Sequence, residues 1–203
     1  MSSSLIIAAA LALATPILLA ALGELLAERA GVLNLGVEGT MLIGAVSGFG
    51  AAQMMGSVWI GIAAALINAA AFGGLFALLV VGLKLNQIVT GLAFTLLGGG
   101  LSAFFGKPFV GQAPAAVVPK VDFGPLASLP WIGKALFSHD VLVYTALIST
   151  ALIALFITRT RPGLLLRALG DSPAVIDALG LPVTAMRYAY IIIGAALAGL
   201  GGA

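Results

Sequence analysis

The chain has 203 residues, of which 62% are hydrophobic and 8% are charged, and its formal net charge is +2. Ordinary soluble domains are about 45–50% apolar and about 25% charged, so this composition excludes a soluble globular domain and predicts a polytopic membrane protein. The lack of cysteine excludes disulfides, thiolate metal sites and a cysteine nucleophile. No basic patch with interleaved aromatic residues predicts nucleic-acid binding.

Long uncharged runs predict about six membrane-spanning helices. A bilayer core of about 30 Å needs roughly 20 helical residues, and a backbone in lipid must satisfy its own hydrogen bonds, which favours helices. We therefore expect residues 1–203 to form one all-α transmembrane bundle. The predicted spans are residues 5–23, two within 39–83 that meet at a tight connection near Gly56 and Ser57, 85–106, 141–158, and a last one that begins after Arg187.

The first and last apolar runs lead to different predictions. No Lys or Arg precedes the first apolar run, so it is predicted to be a span rather than a cleaved signal. The last run has 16 residues after Arg187, which is below spanning length. We therefore expect the sequence to be truncated, with more spans in the whole protein.

The stretch ERAGVLNLGVEG, residues 28–39, separates the first two spans and allows two interpretations. In the first it is a plain cytoplasmic connector, in which Glu28 and Arg29 end one helix and Glu38 favours the start of the next. In the second it is a partly buried helix break at the inner end of a transport pathway. Its apolar residues and three glycines favour the second, with Asn34 and Glu38 as the functional side chains.

A small set of polar residues falls within or beside the predicted spans. Such residues are costly in a bilayer and are candidates for function. Amides also join helices in membranes, which is the alternative for Asn68 and Gln53, and Asn86 and Gln87 could simply mark the interfacial end of a span. The candidate substrate pathway comprises Asn34, Glu38, Asn68, Asn86, Gln87 and Thr90.

Two longer polar segments orient the spans. Residues 107–140 contain five of the nine prolines and are predicted to be an irregular external loop, in which PWIGKALF could form an interfacial helix with Trp131 at headgroup depth. Residues 159–187 contain four arginines. The positive-inside rule places this second segment in the cytoplasm and the N-terminus outside.

Within residues 159–187 the sequence predicts one short helix with a stop on each side. Ser172 and Pro173 are suited to its N-cap and first position, and Gly180 and Pro182 to its end. The helix PAVIDAL has Asp177 as its only clearly polar residue. An isolated helix this short is unstable, so it either folds back on the bundle or docks into a soluble partner.

These segments together resemble the permeases of ABC importers. The Arg-Ala pair, Gly-Asp, the alanine-rich helix, ALGLPV and GAALAGLGGA within residues 167–203 resemble the coupling loop of the branch that carries branched-chain amino acids, simple sugars and nucleosides. ERAGVLNLGVEGTMLIGA and LNQIVTGLAFTLLGGGLSAFFG are similar to signatures of its nucleoside and simple-sugar permeases. The resemblance runs in order over most of residues 16–203.

The resemblance implies a coupling element and a set of partners. The short helix would dock into cytoplasmic ABC ATPase subunits, and a second identical or different permease subunit and an external substrate-binding (lipo)protein would complete the importer in the inner membrane of a prokaryote. It implies no cofactor, metal or catalytic residue, because ATP hydrolysis belongs to the partner. The implied coupling residues are Arg167, Ala168, Gly170, Asp171, Ala174, Ala178 and Gly180.

Two other classes of function remain as alternatives. An ion-coupled secondary transporter or channel would need intramembrane carboxylates, yet residues 39–121 contain no Asp or Glu. An intramembrane enzyme would need a catalytic constellation within the spans, and the single histidine, His139, lies in the proline-rich loop. The chain also lacks a G-x-x-x-x-G-K-[ST] loop, so it does not bind ATP in the P-loop manner.

Overall fold

The computed structural model describes residues 3–121 and 137–203, with side chains from residue 6 onward. The described part is all-α, as the sequence predicts, apart from one isolated bridge between Lys120 and Asp140. Its helices are α1 (Ser3–Arg29), α2 (Val37–Met55), α3 (Val58–Ala77), α4 (Gln87–Gly106), α5 (Val141–Arg159), α6 (Arg161–Asp171), α7 (Pro173–Ala178) and α8 (Val183–Gly202).

Five helical segments in the described residues are long and apolar enough to cross a membrane. A π-helical turn extends α3 and a 3₁₀ turn extends α4. The five are Ile6–Arg29, Val58–Gly82, Gln87–Phe109, Val141–Arg159 and Val183–Gly202. The remaining predicted span, the second in chain order, corresponds to α2. It has 19 residues but is not among the five, because its glycines and polar side chains make it less apolar.

The bundle is built around α8, which packs against α1, α2 and α3. Glycines permit these close approaches. Gly194 on α8 contacts the backbone of α1 at Gly23. A Cβ on Gly44 of α2 would collide with the carbonyl of Gly199 on α8. Small residues that bring helix backbones together are a usual device of membrane helix packing. The glycine-rich runs are therefore packing surfaces.

The structure corrects two predicted boundaries. The first helix continues through Arg29 rather than ending at residue 23, so Glu24 lies inside α1. The last helix begins at Val183, before Arg187, and the segment 159–187 contains an additional helix, α6, that the sequence analysis missed. Thr160 caps α6 by accepting a hydrogen bond from the Gly163 N–H at 3.0 Å, and a threonine cap followed by proline is a signal that could have located it.

The proline-rich segment is irregular over residues 110–121. Gln53 at the end of α2 holds this part: its Oε1 accepts from the Ala115 N–H at 2.8 Å, and its Nε2 donates to the Ala113 carbonyl at 3.2 Å. Gln53 therefore binds a loop and does not join two helices. The predicted interfacial helix PWIGKALF lies outside the described residues except for Phe137.

Candidate transport and coupling site

Residues 30–36, here called the α1–α2 break, form a buried non-helical segment between α1 and α2. Gly31, with φ +78°, ends α1, and the Val32 N–H closes the helix by bonding the Ala27 carbonyl at 3.0 Å. Val32 is 2% exposed and Asn34 is 7% exposed, whereas Leu33 and Leu35 between and beyond them are exposed. The segment is therefore a partly buried helix break and not a plain solvated connector.

Two consecutive backbone amides of the break bind side chains from different helices. The Leu33 N–H donates to Gln87 Oε1 of α4 at 2.8 Å. The next amide, that of Asn34, donates to Glu24 Oε1 of α1, also at 2.8 Å. Because irregular backbone at membrane depth must be satisfied by protein or water, these two acceptors allow the chain to leave the helical conformation here.

Three more backbone groups of the break are satisfied by side chains. The Ala30 carbonyl accepts from Arg187 Nε of α8 at 3.2 Å, and the Leu35 carbonyl accepts from the Thr95 hydroxyl of α4 at 2.9 Å. The Gly36 N–H donates to Asn34 Oδ1 at 2.9 Å. The break is thus held by α1, α4, α8 and its own asparagine.

The structure brings most of the predicted pathway residues to this end of the bundle, which we call the break end. Asn34 lies in the break, and exposed Glu38 lies in the first turn of α2. At the start of α4, Thr90 is buried, Gln87 binds the break, and Asn86 caps the helix by accepting from the Ile88 and Val89 amides at 3.0 and 3.1 Å.

Three residues that the sequence analysis did not single out complete this site: Glu24, Thr95 and Arg187. Glu24 had a detectable signal, because a carboxylate inside an apolar helix is a functional candidate by default. Thr95 and Arg187 had none, since their partners lie 60 and 157 residues away in sequence.

Asn68 lies apart from the break end and lines a cavity between α2, α3 and α4. The cavity has a volume of about 750 Å³, and its lining includes Ser47 together with Phe72, Phe105 and Phe109. The volume is within the range of small-molecule sites. Asn68 Nδ2 donates to the Ala64 carbonyl of its own helix at 2.8 Å, so this amide does not join two helices.

The short helix α7 has the stops that the sequence predicts. It covers Pro173–Ala178, and Gly180 adopts φ +71° just beyond it. Ser172 occupies the N-cap position, although its side chain makes no capping hydrogen bond. Its backbone carbonyl accepts from the Val175 N–H at 3.0 Å instead.

One face of α7 is anchored and the other is open. Ile176 is fully buried, whereas Val175 and Leu179 are 50% and 62% exposed. Ile176 belongs to a core cluster that joins α7 to four other parts of the bundle at the break end. The buried members of this cluster are Leu26, Ala30, Ile157, Leu166, Leu169 and Ile176.

The predicted coupling residues divide between α6 and the region of α7. Ala174, Ala178 and Gly180 are exposed on or just after α7. The other four lie on α6: Arg167, Ala168, Gly170 and Asp171. Among the latter, Gly170 packs on the end of α1, because a Cβ there would lie 2.5 Å from the Arg29 carbonyl oxygen.

A polar cleft of about 330 Å³ lies where α6 meets the end of α1. Glu28 and Arg29 line one side, and Arg167 and Asp171 line the other. The Arg167 Nε is buried and has no hydrogen-bond partner in the described part of the chain. The cleft therefore gives the break end a charged surface between α1 and α6.

Comparison with known proteins identifies the chain's family. Residues 6–203 match the family described as branched-chain amino acid transport system / permease component. The chain is 41% identical over 194 residues to a putative glucose ABC transporter permease protein of Haloferax volcanii, covering 94% of this chain and 59% of the relative. No solved structure matches the chain.

Two further relatives are named for nucleosides. The guanosine ABC transporter permease protein of Bacillus subtilis is 35% identical over 212 residues, and the nucleoside ABC transporter permease protein of Lactococcus lactis subsp. cremoris is 32% identical over 209. Each alignment covers 98% of this chain and 66% of the relative, so the chain spans about three fifths to two thirds of its relatives' length. The chain belongs to the family of branched-chain amino acid transport system permease components, and it is a multi-pass protein of a prokaryotic cytoplasmic (inner) membrane.

Proposed function

We propose that this chain is the permease subunit of an ABC importer that moves nucleosides or related simple sugars across the membrane by alternating access. ATP hydrolysis takes place in separate cytoplasmic subunits, a second permease subunit completes the pathway, and an external binding protein delivers the substrate. Family membership supports the permease role. The relatives' names, two for nucleosides and one for glucose, support the substrate class.

The observation that carries this proposal is the open apolar face of α7. Val175 and Leu179 are exposed while Ile176 anchors the helix in the bundle. A six-residue helix gains little stability from its own propensity, so this one is held by its anchor and presents a rigid apolar face. Such a face suits a groove in a soluble partner, and the arginines of residues 159–187 favour a cytoplasmic location.

The substrate pathway in this proposal uses hydrogen-bonding groups, of which all but the Glu38 carboxylate are uncharged. Asn34, Glu38, Asn86, Gln87 and Thr90 belong to the break end, and Asn68 to the cavity between α2, α3 and α4. Nucleosides and sugars are neutral and rich in hydroxyl groups, so amides, a hydroxyl and exposed backbone are suitable partners for them. Residues 107–140 are then external, and Ala113 and Ala115 among them bond Gln53 at the other end of α2 from the break.

Substitution of α7 tests the proposal in the intact complex. We expect Ala174→Arg and Gly180→Trp to abolish both co-purification of the ATPase and ATP-driven uptake of labelled nucleoside, because both residues are exposed at the docking face. Ala113→Arg is the matched control for Ala174→Arg, since it adds the same charge at an exposed position at the other end of the bundle. Gly111→Trp is the matched control for Gly180→Trp, since Gly111 is also exposed with a left-handed φ of +81°.

Three results would contradict the proposal. The first is a purified complex that contains no ATPase. The second is uptake that survives both α7 substitutions at the level of the Ala113→Arg control. The third is uptake by ATP-depleted vesicles under an imposed ion gradient, which would support an ion-coupled transporter instead.

A further inference from the structure

We propose that Glu24 and Gln87 are positioning residues that make the α1–α2 break a stiff link between the coupling loop, residues 159–187, and α4. Movement of α7 then reaches the wall of the cavity through the break. This inference rests on the proposed function, because it concerns how ATP hydrolysis in the partner moves the membrane helices.

The first step of the link joins the coupling loop to the break. Gly170 on α6 lies against the Arg29 carbonyl, and a Cβ on Gly31 would lie 3.3 Å from the Gly170 Cα. Arg187, at the start of α8, donates to the Ala30 carbonyl at 3.2 Å. Ala30 also belongs to the core cluster that contains Ile176 of α7. A displacement of α6 therefore acts directly on the start of the break, and a displacement of α7 acts on it through α6 and the shared core cluster.

The second step fixes the break between α1 and α4. Burial alternates along residues 32–36, with Val32, Asn34 and Gly36 buried and Leu33 and Leu35 exposed. The Leu33 amide binds Gln87 on α4, and the next amide binds Glu24 on α1. Two adjacent residues of the break are thus hydrogen-bonded to two different helices. Thr95 adds a second hydrogen bond from α4, to the Leu35 carbonyl.

The third step passes along α4 to the cavity. Beyond the break, a Cβ on Gly36 would lie 2.8 Å from the Phe94 Cβ, and Gly39 and Gly98 meet backbone to backbone. These contacts leave little free space, so α2 and α4 move together here. Farther along α4, Leu101 and Phe105 form part of the cavity wall.

The chemistry of the two hydrogen bonds distinguishes a positioning role for Glu24 from the role of a carboxylate that carries a coupling ion. Each backbone N–H needs an oxygen acceptor and not a charge. Glu24→Gln and Gln87→Glu keep an oxygen at Oε1, whereas Glu24→Leu and Gln87→Leu remove it. A carboxylate that carried a coupling ion would fail in Glu24→Gln, while a positioning residue would not.

The test measures substrate transported per ATP hydrolysed by the full importer in proteoliposomes, with labelled nucleoside and glucose each offered as substrate. We expect Glu24→Leu and Gln87→Leu to lower this ratio roughly fivefold or more, in the range of ordinary coupling between sites, with ATPase activity within about twofold of wild type. Glu24→Gln should keep the wild-type ratio.

A threonine pair keeps the proposal testable if the leucine variants fail to assemble. Thr95→Val removes the hydroxyl that bonds the break, whereas Thr158→Val removes one that donates to the Ala154 carbonyl of its own helix at 2.7 Å. Thr95→Val should lower the ratio and Thr158→Val should not.

The outcomes separate this inference from the function on which it rests. A wild-type complex without ATP-driven uptake of either substrate overturns the proposed function. A wild-type complex that couples normally, with the leucine variants at the wild-type ratio, overturns only the link. Equal loss in Glu24→Gln and Glu24→Leu also overturns it, since the acceptor would then not be what matters.

Discussion

The two ends of α2 show two different ways to leave a membrane helix. At one end a two-residue turn suffices: Gly56 adopts φ +65°, and a Cβ there would meet nothing within 4 Å. At the other end, the seven residues of the α1–α2 break are held by side chains of α1, α4 and α8. The turn needs only a left-handed glycine, whereas the break needs residues distant in sequence.

This difference indicates that the break does more than connect two helices. Among the described residues, Gly56 and Ser57 connect two helices without hydrogen bonds from the side chains of other helices. The break shares Ala30 with the cluster that anchors α7 and packs against α4 at Phe94, so it links the proposed ATPase-docking helix to a helix that lines the cavity.

The largest expected effect is on stability and comes from alanine substitution of Gly39, compared with the same substitution of Gly50 near the other end of α2. A Cβ on Gly39 would collide with the Phe94 carbonyl, whereas a Cβ on Gly50 would meet only the edge of the Phe109 ring at 3.1 Å. Overpacking against backbone costs about 3 kcal/mol, so Gly39→Ala should lower the melting temperature strongly. Gly50→Ala should shift stability by less than about 1 kcal/mol, because a ring can turn aside and alanine favours helix. Equal effects in thermal unfolding would contradict the asymmetry.

A smaller effect is expected from the polar side chains of the two connections. Asn34→Ala leaves the buried Gly36 N–H without its acceptor, which costs about 1–3 kcal/mol. Asn34→Asp keeps the acceptor oxygen but buries a second carboxylate near Glu24, so it should recover only part of this loss. Ser57→Ala should cost under about 0.5 kcal/mol, because the Ser57 side chain makes no capping hydrogen bond. The measurement is thermal unfolding in detergent, and a Ser57→Ala loss equal to that of Asn34→Ala would count against the comparison.

The smallest effect is expected from Asn86, which caps α4, and it is compared with that of Gln87, which connects α4 to the break. Asn86 accepts from two amides of its own helix, so Asn86→Ala should cost about 1 kcal/mol of stability and should lower transport per ATP less than Gln87→Leu does. Asn86→Asp should restore the stability. A loss of coupling in Asn86→Ala that matched Gln87→Leu would show that the start of α4, and not the Gln87 acceptor, is what matters.

Local chemistry explains which parts of the fold could be predicted from sequence. The turn at Gly56 and the stops of α7 at Pro173 and Gly180 depend on neighbouring residues, and the structure confirms them together with an all-α bundle of apolar helices. The predicted bounds of the first and last spans were wrong, because α1 and α8 continue past the charged residues at which those spans were bounded. The helix α6 was missed although Thr160 and Pro162 signal its start, because the arginine-rich segment was treated as a loop.

The candidate site was only partly predictable. The apolar residues and glycines of residues 28–39 correctly favoured a buried break, and Asn34 was singled out within it. Glu24 lies outside the predicted first span, because that span ends at residue 23 whereas α1 continues through Arg29. The contacts of Thr95 and Arg187 with the break depend on tertiary packing across 60 and 157 residues, which no local pattern specifies.

Amide hydrogen exchange of the wild-type protein in a lipid nanodisc tests most directly whether the break is a clamped structural link. The amides of Leu33, Asn34 and Gly36 donate to Gln87, Glu24 and Asn34 respectively. We predict that these three exchange as slowly as helical amides of α1, and that Glu24→Leu but not Glu24→Gln removes the protection at Asn34. Exchange of all three at the rate of an unstructured peptide would contradict the account.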